Sequence, residues 1–298
     1  MRKYYHPANT PHRCGSANHE HWDNLWGATA FEEAYRAVEN HFLFDVFHRY
    51  FPKPGKILEA GCGLGQYVAF YRQRGYDIEG VDSSSVGIQK VKERYPDIPV
   101  QVADIRKLPY AAGSIRVYFS GGVFEHFENG PWDALSEARR VLSDNGRLIM
   151  TVPFMNAART LRDALWWHGD HYRVVKAFGP QGPAPAGREF YQYAFSRKEI
   201  LQAVCSAGFE PVEVRPVQIV WGAKKLFGRQ HLSVTHSAAA GQIFEAQAPD
   251  ATTSAKPKAA WRRALLTERA DQPLSRALLN TLGWGVGHMV LLVLRKAP

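Results

Sequence analysis

Residues 56–66, with the sequence KILEAGCGLGQ, constrain the fold of this chain more than any other stretch. A short apolar run predicts a buried strand that an acid, Glu59, closes, and the residues from Gln66 onward predict the start of a helix. Three glycines at alternate positions lie between them: Gly61, Gly63 and Gly65. Glycine is needed where the backbone bends sharply and approaches a ligand closely. A strand, a glycine turn and a helix N-terminus together form a cradle for an adenosine-bearing ligand.

The acid beside the turn indicates the charge of that ligand. A dinucleotide-binding turn has a third glycine five positions after the first, where this chain has Gln66. Glu59, two residues before the first glycine, would also repel a phosphate. The stretch therefore favours a cationic ligand without phosphate, such as S-adenosylmethionine, and an ordinary tight turn is the alternative.

Size and composition set wide limits. The 298 residues allow one large domain or one domain with appendages, and 45% hydrophobic content is enough for a real core. A net charge of +9 permits an acidic substrate, nucleic acid or an anionic membrane surface, and selects none of them. Three scattered cysteines fit a reducing compartment, and we find no signal peptide and no apolar run of membrane-spanning length. These features predict a cytoplasmic protein.

Two further acids close predicted strands. Residues 77–82 predict a strand ending at Asp82, which lies 21 positions after Gly61, where an acid can accept from both hydroxyls of a ribose. The alternative is that Asp82 or one of the serines after it, beginning with Ser83, caps the next helix. Residues 99–104 predict a third strand that ends at Asp104.

The rest of the chain continues this alternation of helix and strand. It predicts an α/β fold with a three-layer Rossmann-like sheet, mostly parallel with one antiparallel edge strand, and helices on both faces. A single helix is predicted at about 30–51. The predicted divisions begin with an N-terminal arm or lid without periodic structure (1–28) and a main domain (29–217) that carries a substrate-side insertion (156–189). A variable and partly disordered insertion (218–284) follows, and then a final sheet strand with its tail (285–298).

The order of these signals resembles that of the class I S-adenosylmethionine-dependent methyltransferases. Their first motif is an acid followed by G-x-G-x-G, and the run Gly-Val-Phe-Glu-His-Phe at 122–127 matches a second recurrent pattern. Residues 55–155 are similar to the methyltransferase type 11 domain and to the ubiquinone/menaquinone-biosynthesis group. Residues 156–216 resemble it only loosely.

The resemblance implies a cofactor, S-adenosyl-L-methionine, and a set of residues that bind it. In the family pattern Asp104 accepts from the exocyclic amine of adenine and the Ile105 amide donates to a ring nitrogen, although a capping role for Asp104 is the alternative. The implied cofactor-binding set is Glu59, Gly61, Gly63, Gly65, Asp82, Ser83, Asp104, Ile105 and Gly121. The implied reaction transfers the sulfonium methyl to an O, N or C nucleophile of a small molecule or of a lipid or glycan-type metabolite.

An oxygen or carbon acceptor also needs a base. His126 can titrate near neutrality and lies at a predicted strand end, so it can remove a proton from a substrate, or it can simply shape the loop with Glu125. His171 and Tyr191 are the other two candidates. No metal site is predicted, because the N-terminal histidines and Cys14 match no standard zinc spacing.

Other function classes make distinguishable predictions. An NAD-type oxidoreductase would be stabilised by NAD, and a catalytically silent Rossmann-like protein would have no need of the three acids. A nucleic-acid methyltransferase is disfavoured because no nucleic-acid-binding module is recognisable. Basic, apolar stretches at 261–266 and 274–279 can contact an anionic membrane surface or pack on the domain as helices.

Overall fold

The computed structural model of the protein describes residues 2–7, 19–165, 173–176, 187–219, 222 and 281–298. Its strands are β1 (Arg2–Pro7), β2 (Ile57–Ala60), β3 (Ile78–Asp82), β4 (Val100–Val102), β5 (Ile115–Gly121), β6 (Leu142–Pro153), β7 (Arg173–Lys176), β8 (Arg188–Ala194), β9 (Phe209–Val217) and β10 (Met289–Lys296). Its helices are α1 (His19–Ala28), α2 (Phe31–Ala37), α3 (Phe44–Tyr50), α4 (Gln66–Arg72), α5 (Ser85–Arg94), α6 (Trp132–Val141), α7 (Ala157–Leu165) and α8 (Arg197–Ser206).

Seven strands form the main sheet in the order β4-β3-β2-β5-β6-β10-β9. The pairs from β4 to β6 are parallel, and β10 pairs antiparallel with both of its neighbours. The predicted Rossmann-like sheet, mostly parallel with one antiparallel strand, is confirmed. The antiparallel strand, β10, lies one position inside the edge, because β9 pairs with its outer side. Residues 290–294 of β10 are accordingly all buried.

The sheet separates two hydrophobic clusters, as three layers require. Leu58 of β2 faces the cluster that contains residues of α6 and α8, and Ile57 faces the cluster that contains residues of α3, α4 and α5. Successive strand residues point to opposite faces, so a strand covered by helices on both sides is buried throughout. All four residues of β2 are accordingly buried.

The predicted helix at 30–51 is divided into α2, a 3-10 turn (Val38–Asn40) and α3. The break falls at His41, whose backbone is extended with ψ 144°. The Nδ1 atom of His41 lies 2.8 Å from the Tyr67 hydroxyl, and the Leu43 N–H also donates to it at 3.4 Å. This buried side chain holds the backbone out of the helix, which apolar spacing alone does not reveal.

The prediction of an N-terminal arm without periodic structure is wrong. β1 is the central strand of a second sheet, β7-β1-β8, and pairs antiparallel with both neighbours. Residues 19–28 form α1. The insertion at 156–189 contributes α7, β7 and the beginning of β8, and most of the predicted insertion at 218–284 lies outside the described residues. Within the described ranges, no helix is both long enough and apolar enough to cross a bilayer.

The N-terminus of α8 provides a test of local stability. Ser196 Oγ accepts from the Glu199 N–H, and Glu199 Oε2 accepts from the Ser196 N–H at 2.9 Å, which together form a capping box. We predict that Ser196→Ala lowers the free energy of unfolding by about 1 kcal/mol, because the Glu199 N–H loses its acceptor and the Glu199 carboxylate loses the Ser196 hydroxyl. Urea denaturation measures this change.

Ser206→Ala is the matched control, since this exposed serine ends the same helix. It is expected to change the free energy of unfolding by less than about 0.5 kcal/mol. An equal effect of both substitutions would contradict the assigned role of the cap.

Candidate active site

The predicted cofactor residues come together at one edge of the main sheet. β4, β3, β2 and β5 are adjacent and parallel, so the residues that follow their carboxyl ends share that edge. Open α/β sheets bind ligands in the crevice outside these strand ends. The site residues are described below from β2 outward.

The glycine turn, residues 61–65, connects β2 to α4 and requires glycine at positions 61 and 63. Gly61 and Gly63 have φ angles of 83° and 54°, in the left-handed region. A Cβ on Gly61 would lie 2.3 Å from a methyl of Val123, and one on Gly63 would lie 2.5 Å from the ring of Trp26. The turn is therefore closely packed by a loop on one side and by α1 on the other.

Two buried hydrogen-bond acceptors flank the glycine turn. Glu59 is 2% exposed and accepts from the backbone N–H of Val68, but its Oε2 has no partner among the described residues. Oε1 of Gln66, the first residue of α4, is also buried and has no partner among the described residues. Burial raises the pKa of Glu59 well above its usual value, and the nearby Asp82 adds to this effect. Acceptors left unpaired in this way fit a ligand that brings donors or positive charge.

The Asp82 carboxylate links the ends of β2 and β3. Its Oδ2 accepts from the Gly63 N–H at 2.7 Å, and its Oδ1 accepts from the Ser84 N–H at 2.8 Å. The Ser83 N–H also favours the charged form, although burial outweighs these bonds and raises the pKa of Asp82. Each carboxylate oxygen has a second lone pair. Asp82 can therefore accept from a diol without giving up its backbone partners.

The residues after β4 have a different environment. The Asp104 carboxylate is 41% exposed and pairs with the guanidinium of Arg106 at 2.6 Å. Arg106 also lies 5.0 Å from the ring centroid of Phe127. The Ile105 side chain is buried in the core beside α6, so only its backbone can face a ligand. An adenine amine that reached Asp104 would share this carboxylate with Arg106.

Helix α1 lies across the site, within the region predicted as an arm or lid, although its helical structure was not predicted. Trp26 packs on Gly63, and Trp22, one helical turn earlier, lies 4.9 Å from His126 between ring centroids. Between them, Asp23 accepts from the Ser84 hydroxyl and from the Val86 N–H. The signal available in the sequence was the i, i+4 spacing of the two tryptophans, which marks one face of a helix.

His126 follows β5 in a 3-10 turn and is held in one tautomer. Its Nδ1 lies 2.9 Å from the backbone carbonyl of Tyr191. A carbonyl can only accept, so Nδ1 carries the proton and Nε2 is a bare acceptor. Burial lowers the pKa of His126 to about 4, and His21 acts in the same direction. Tyr191 thus contributes its carbonyl and a ring that lies 5.4 Å away.

Glu125 completes this part of the site. It is 2% exposed, its Oε2 has no partner in the described part of the chain, and its Oε1 lies 3.9 Å from His126 Nε2. Burial raises the pKa of Glu125 to about 8. Near neutral pH the carboxyl and the imidazole are therefore both uncharged. The third predicted catalytic residue, His171, lies outside the described residues.

Comparisons with known proteins show similarity to methyltransferases. A Mycolicibacterium smegmatis protein named as a probable S-adenosylmethionine-dependent methyltransferase is 25% identical over 217 residues, covering 72% of this chain and 70% of that protein. An uncharacterised 37.1 kDa protein in transposon TN4556 of Streptomyces fradiae is 37% identical over 109 residues, or 34% of this chain and 31% of that protein. The chain spans less than half the length of several curated relatives that it matches.

A crystal structure of geranyl diphosphate C-methyltransferase from Streptomyces coelicolor A3(2), in complex with Mg²⁺, geranyl-S-thiolodiphosphate and S-adenosyl-L-homocysteine, has the same fold. The two chains superpose with a TM-score of 0.50 at 12% identity, covering 97% of this chain and 99% of that one. The fold and these matches make the chain similar to the class I S-adenosylmethionine-dependent methyltransferases. Residues 58–150 match the family model described as methyltransferase domain.

The buried carboxyl of Glu59 leads to a prediction of proton release. Burial favours its protonated form, whereas an adjacent cation favours the carboxylate. We predict that binding of S-adenosylmethionine releases a proton, so that affinity rises as pH rises through the range in which ligand-free Glu59 titrates. Calorimetry in buffers of different ionisation enthalpy at one pH measures the released proton.

Glu59→Gln is expected to abolish this release. Glu79→Gln is the matched control, since Glu79 lies on the neighbouring strand and pairs with Lys56 at 2.7 Å. It should leave the release intact. A binding heat that is independent of the buffer in the unsubstituted protein would contradict the assignment.

Proposed function

We propose that this protein transfers a methyl group from S-adenosylmethionine to an O, N or C nucleophile of a small molecule. The observation that carries the proposal is the unpartnered oxygen of Glu59 beside the glycine turn. A buried acceptor of this kind stabilises a cation and repels a phosphate. It therefore favours the sulfonium cofactor over a dinucleotide.

The same site offers a place for each part of the cofactor. Asp82 would accept from the ribose hydroxyls, while Glu59 and Gln66 would accept from the ammonium group. The backbone around Asp104 and Ile105 would bind adenine, and Gly121 closes β5 beside the glycine turn. When bound, the cofactor supplies an electrophilic methyl group on its sulfonium.

On the acceptor side, we propose that His126 receives the proton that the acceptor loses. Its Nδ1–H is fixed on the Tyr191 carbonyl, which aims the bare Nε2 away from that carbonyl. An imidazole with a pKa near 4 is a weak base, so it suits an acceptor with an acidic proton, such as a phenol or an enol. Trp22 and Tyr191 would flank a planar acceptor of this kind.

We further propose that the protein acts in the cytoplasm on a freely diffusing small molecule. Neither an oxidoreductase nor a nucleic-acid methyltransferase is favoured by a contact in the described residues. The stretches for which we predicted contact with an anionic membrane, 261–266 and 274–279, lie outside those residues. Methyl transfer from labelled cofactor into a lysate, separated into lipid, small-molecule and nucleic-acid fractions, tests the substrate class.

The ribose assignment predicts the effect of removing the Asp82 carboxylate. We expect Asp82→Ala to weaken S-adenosylmethionine binding by about 1–3 kcal/mol, because a charged acceptor is lost from a buried site. Calorimetric titration measures the affinity, and circular dichroism checks the fold.

The control is Asp77→Asn, one residue before the same strand, where the carboxylate is 53% exposed and pairs with Arg72. It should bind the cofactor normally. Unchanged affinity of Asp82→Ala, or thermal stabilisation of the protein by NAD in place of S-adenosylmethionine, would refute the proposed function.

The base assignment predicts a separate kinetic effect. We expect His126→Asn to lower kcat by about 100-fold with little change in cofactor affinity, because an amide can still donate to Tyr191 but cannot take a proton. Labelled-methyl transfer to the acceptor found in the lysate measures the rate. His48→Asn, at an exposed histidine of α3, should be fully active. A His126→Asn variant of normal rate would leave His126 with a structural role alone.

A further inference from the structure

We propose that Asp23, on α1, is a positioning residue that orients the Asp82 carboxylate toward the cofactor by way of Ser84. The inference rests on the proposed function, because it requires that Asp82 contact the ribose. It adds a residue from outside the sheet to a site that otherwise follows the strand ends.

A chain of short hydrogen bonds connects the two aspartates. Asp23 Oδ1 accepts from the Ser84 hydroxyl at 2.5 Å and from the Val86 N–H at 3.2 Å. Ser84 is fully buried, and its own N–H donates to Asp82 Oδ1 at 2.8 Å. Ser84 therefore connects the two: its side chain donates to Asp23 of α1, and its backbone N–H donates to Asp82.

Ser84 also has a second fixed bond, which leaves it little freedom. It is the N-cap of α5, and its Oγ accepts from the Gly87 N–H at 3.0 Å. A hydroxyl has one proton to donate, and Asp23 receives it. Without Asp23 that proton would have to find another acceptor, and the Ser84 backbone would no longer be held from both sides.

The same helix also bears on the other oxygen of Asp82. Oδ2 accepts from the Gly63 N–H at 2.7 Å, and the ring of Trp26 packs directly on Gly63. Gly63 and Ser84, which supply two of the backbone donors to Asp82, are therefore both in contact with α1. Asp23 is the polar link from α1 to the Ser84 donor, whereas Trp26 meets the Gly63 donor only by packing.

Lys90 provides a control, because it holds the same helix in a different way. Its Nζ donates to the carbonyls of Trp26, Gly27 and Thr29, at 3.0, 2.8 and 3.0 Å. These bonds fasten the C-terminal end of α1 to α5 without involving Ser84 or Asp82. Loosening α1 and breaking the polar link can therefore be separated.

The test is a pair of double-substitution cycles, in which S-adenosylhomocysteine, a stable and unreactive probe, is titrated calorimetrically into the full-length protein. We expect Asp23→Ala to weaken binding by about tenfold, and to have an effect of less than about twofold when Asp82→Ala is already present. Lys90→Met is expected to have the same effect, whatever its size, in both backgrounds.

Two further variants keep the result independent of folding defects. Ser84→Ala retains both carboxylates and deletes the link, so it should reproduce the loss seen with Asp23→Ala. Asp23→Asn retains an oxygen that can accept from Ser84, so it should restore affinity to within about threefold of the unsubstituted protein. Circular dichroism and thermal melting identify any variant that does not fold.

Equal losses from Asp23→Ala with and without Asp82 would overturn the inference, since α1 would then act only as packing. So would normal binding by Ser84→Ala. If Asp82→Ala alone binds the probe normally, the ribose assignment of the proposed function fails instead. That result differs from the one in which Asp82→Ala weakens binding and Asp23→Ala weakens it further by an equal factor.

Discussion

The rest of the site depends on the hydrogen bonds that the buried Asp82 carboxylate accepts from the backbone. Taking an ion out of water costs several kcal/mol unless hydrogen bonds replace its hydration. Here the backbone N–H groups of Gly63 and Ser84 supply those bonds, so one side chain joins the glycine turn after β2 to the start of α5. The bonds tie two parallel strand ends together where the proposed ligand would lie. They also favour the charged form of this carboxyl group, against the effect of burial.

Features that depend on neighbouring residues could be predicted from the sequence. The glycine turn follows from Glu59 and three alternating glycines, and the acid that ends β3 follows from the spacing of Asp82. The capping box of Ser196 and Glu199 is equally local. Because helices and strands alternate regularly from β2 to β6, the parallel sheet and its site edge follow from the same patterns.

What could not be predicted depends on partners far away in the chain. Tyr4 of β1 pairs with Val174 and Gln192, and no local pattern in six residues specifies such partners. The partner of Asp23 is equally hard to predict, since in the sequence Asp23 is one polar residue in a polar arm. Its role depends on Ser84, which is 61 positions away. The sequence signal was confined to the spacing of Trp22 and Trp26.

Burial raises the pKa of the carboxyl groups in both halves of the site, and the two halves differ in the supply of backbone donors. Asp82 and Glu125 are both buried carboxyl groups, but Asp82 has N–H donors from the turn and from α5, whereas Glu125 Oε2 has no partner among the described residues. Burial raises the pKa of Glu125 to about 8, and near neutral pH it stays uncharged beside the uncharged His126. An edge whose buried acceptors favour a cation thus adjoins a pocket of uncharged groups. Under the proposed function, such a division keeps the positive charge on the donor side until the acceptor loses its proton to His126.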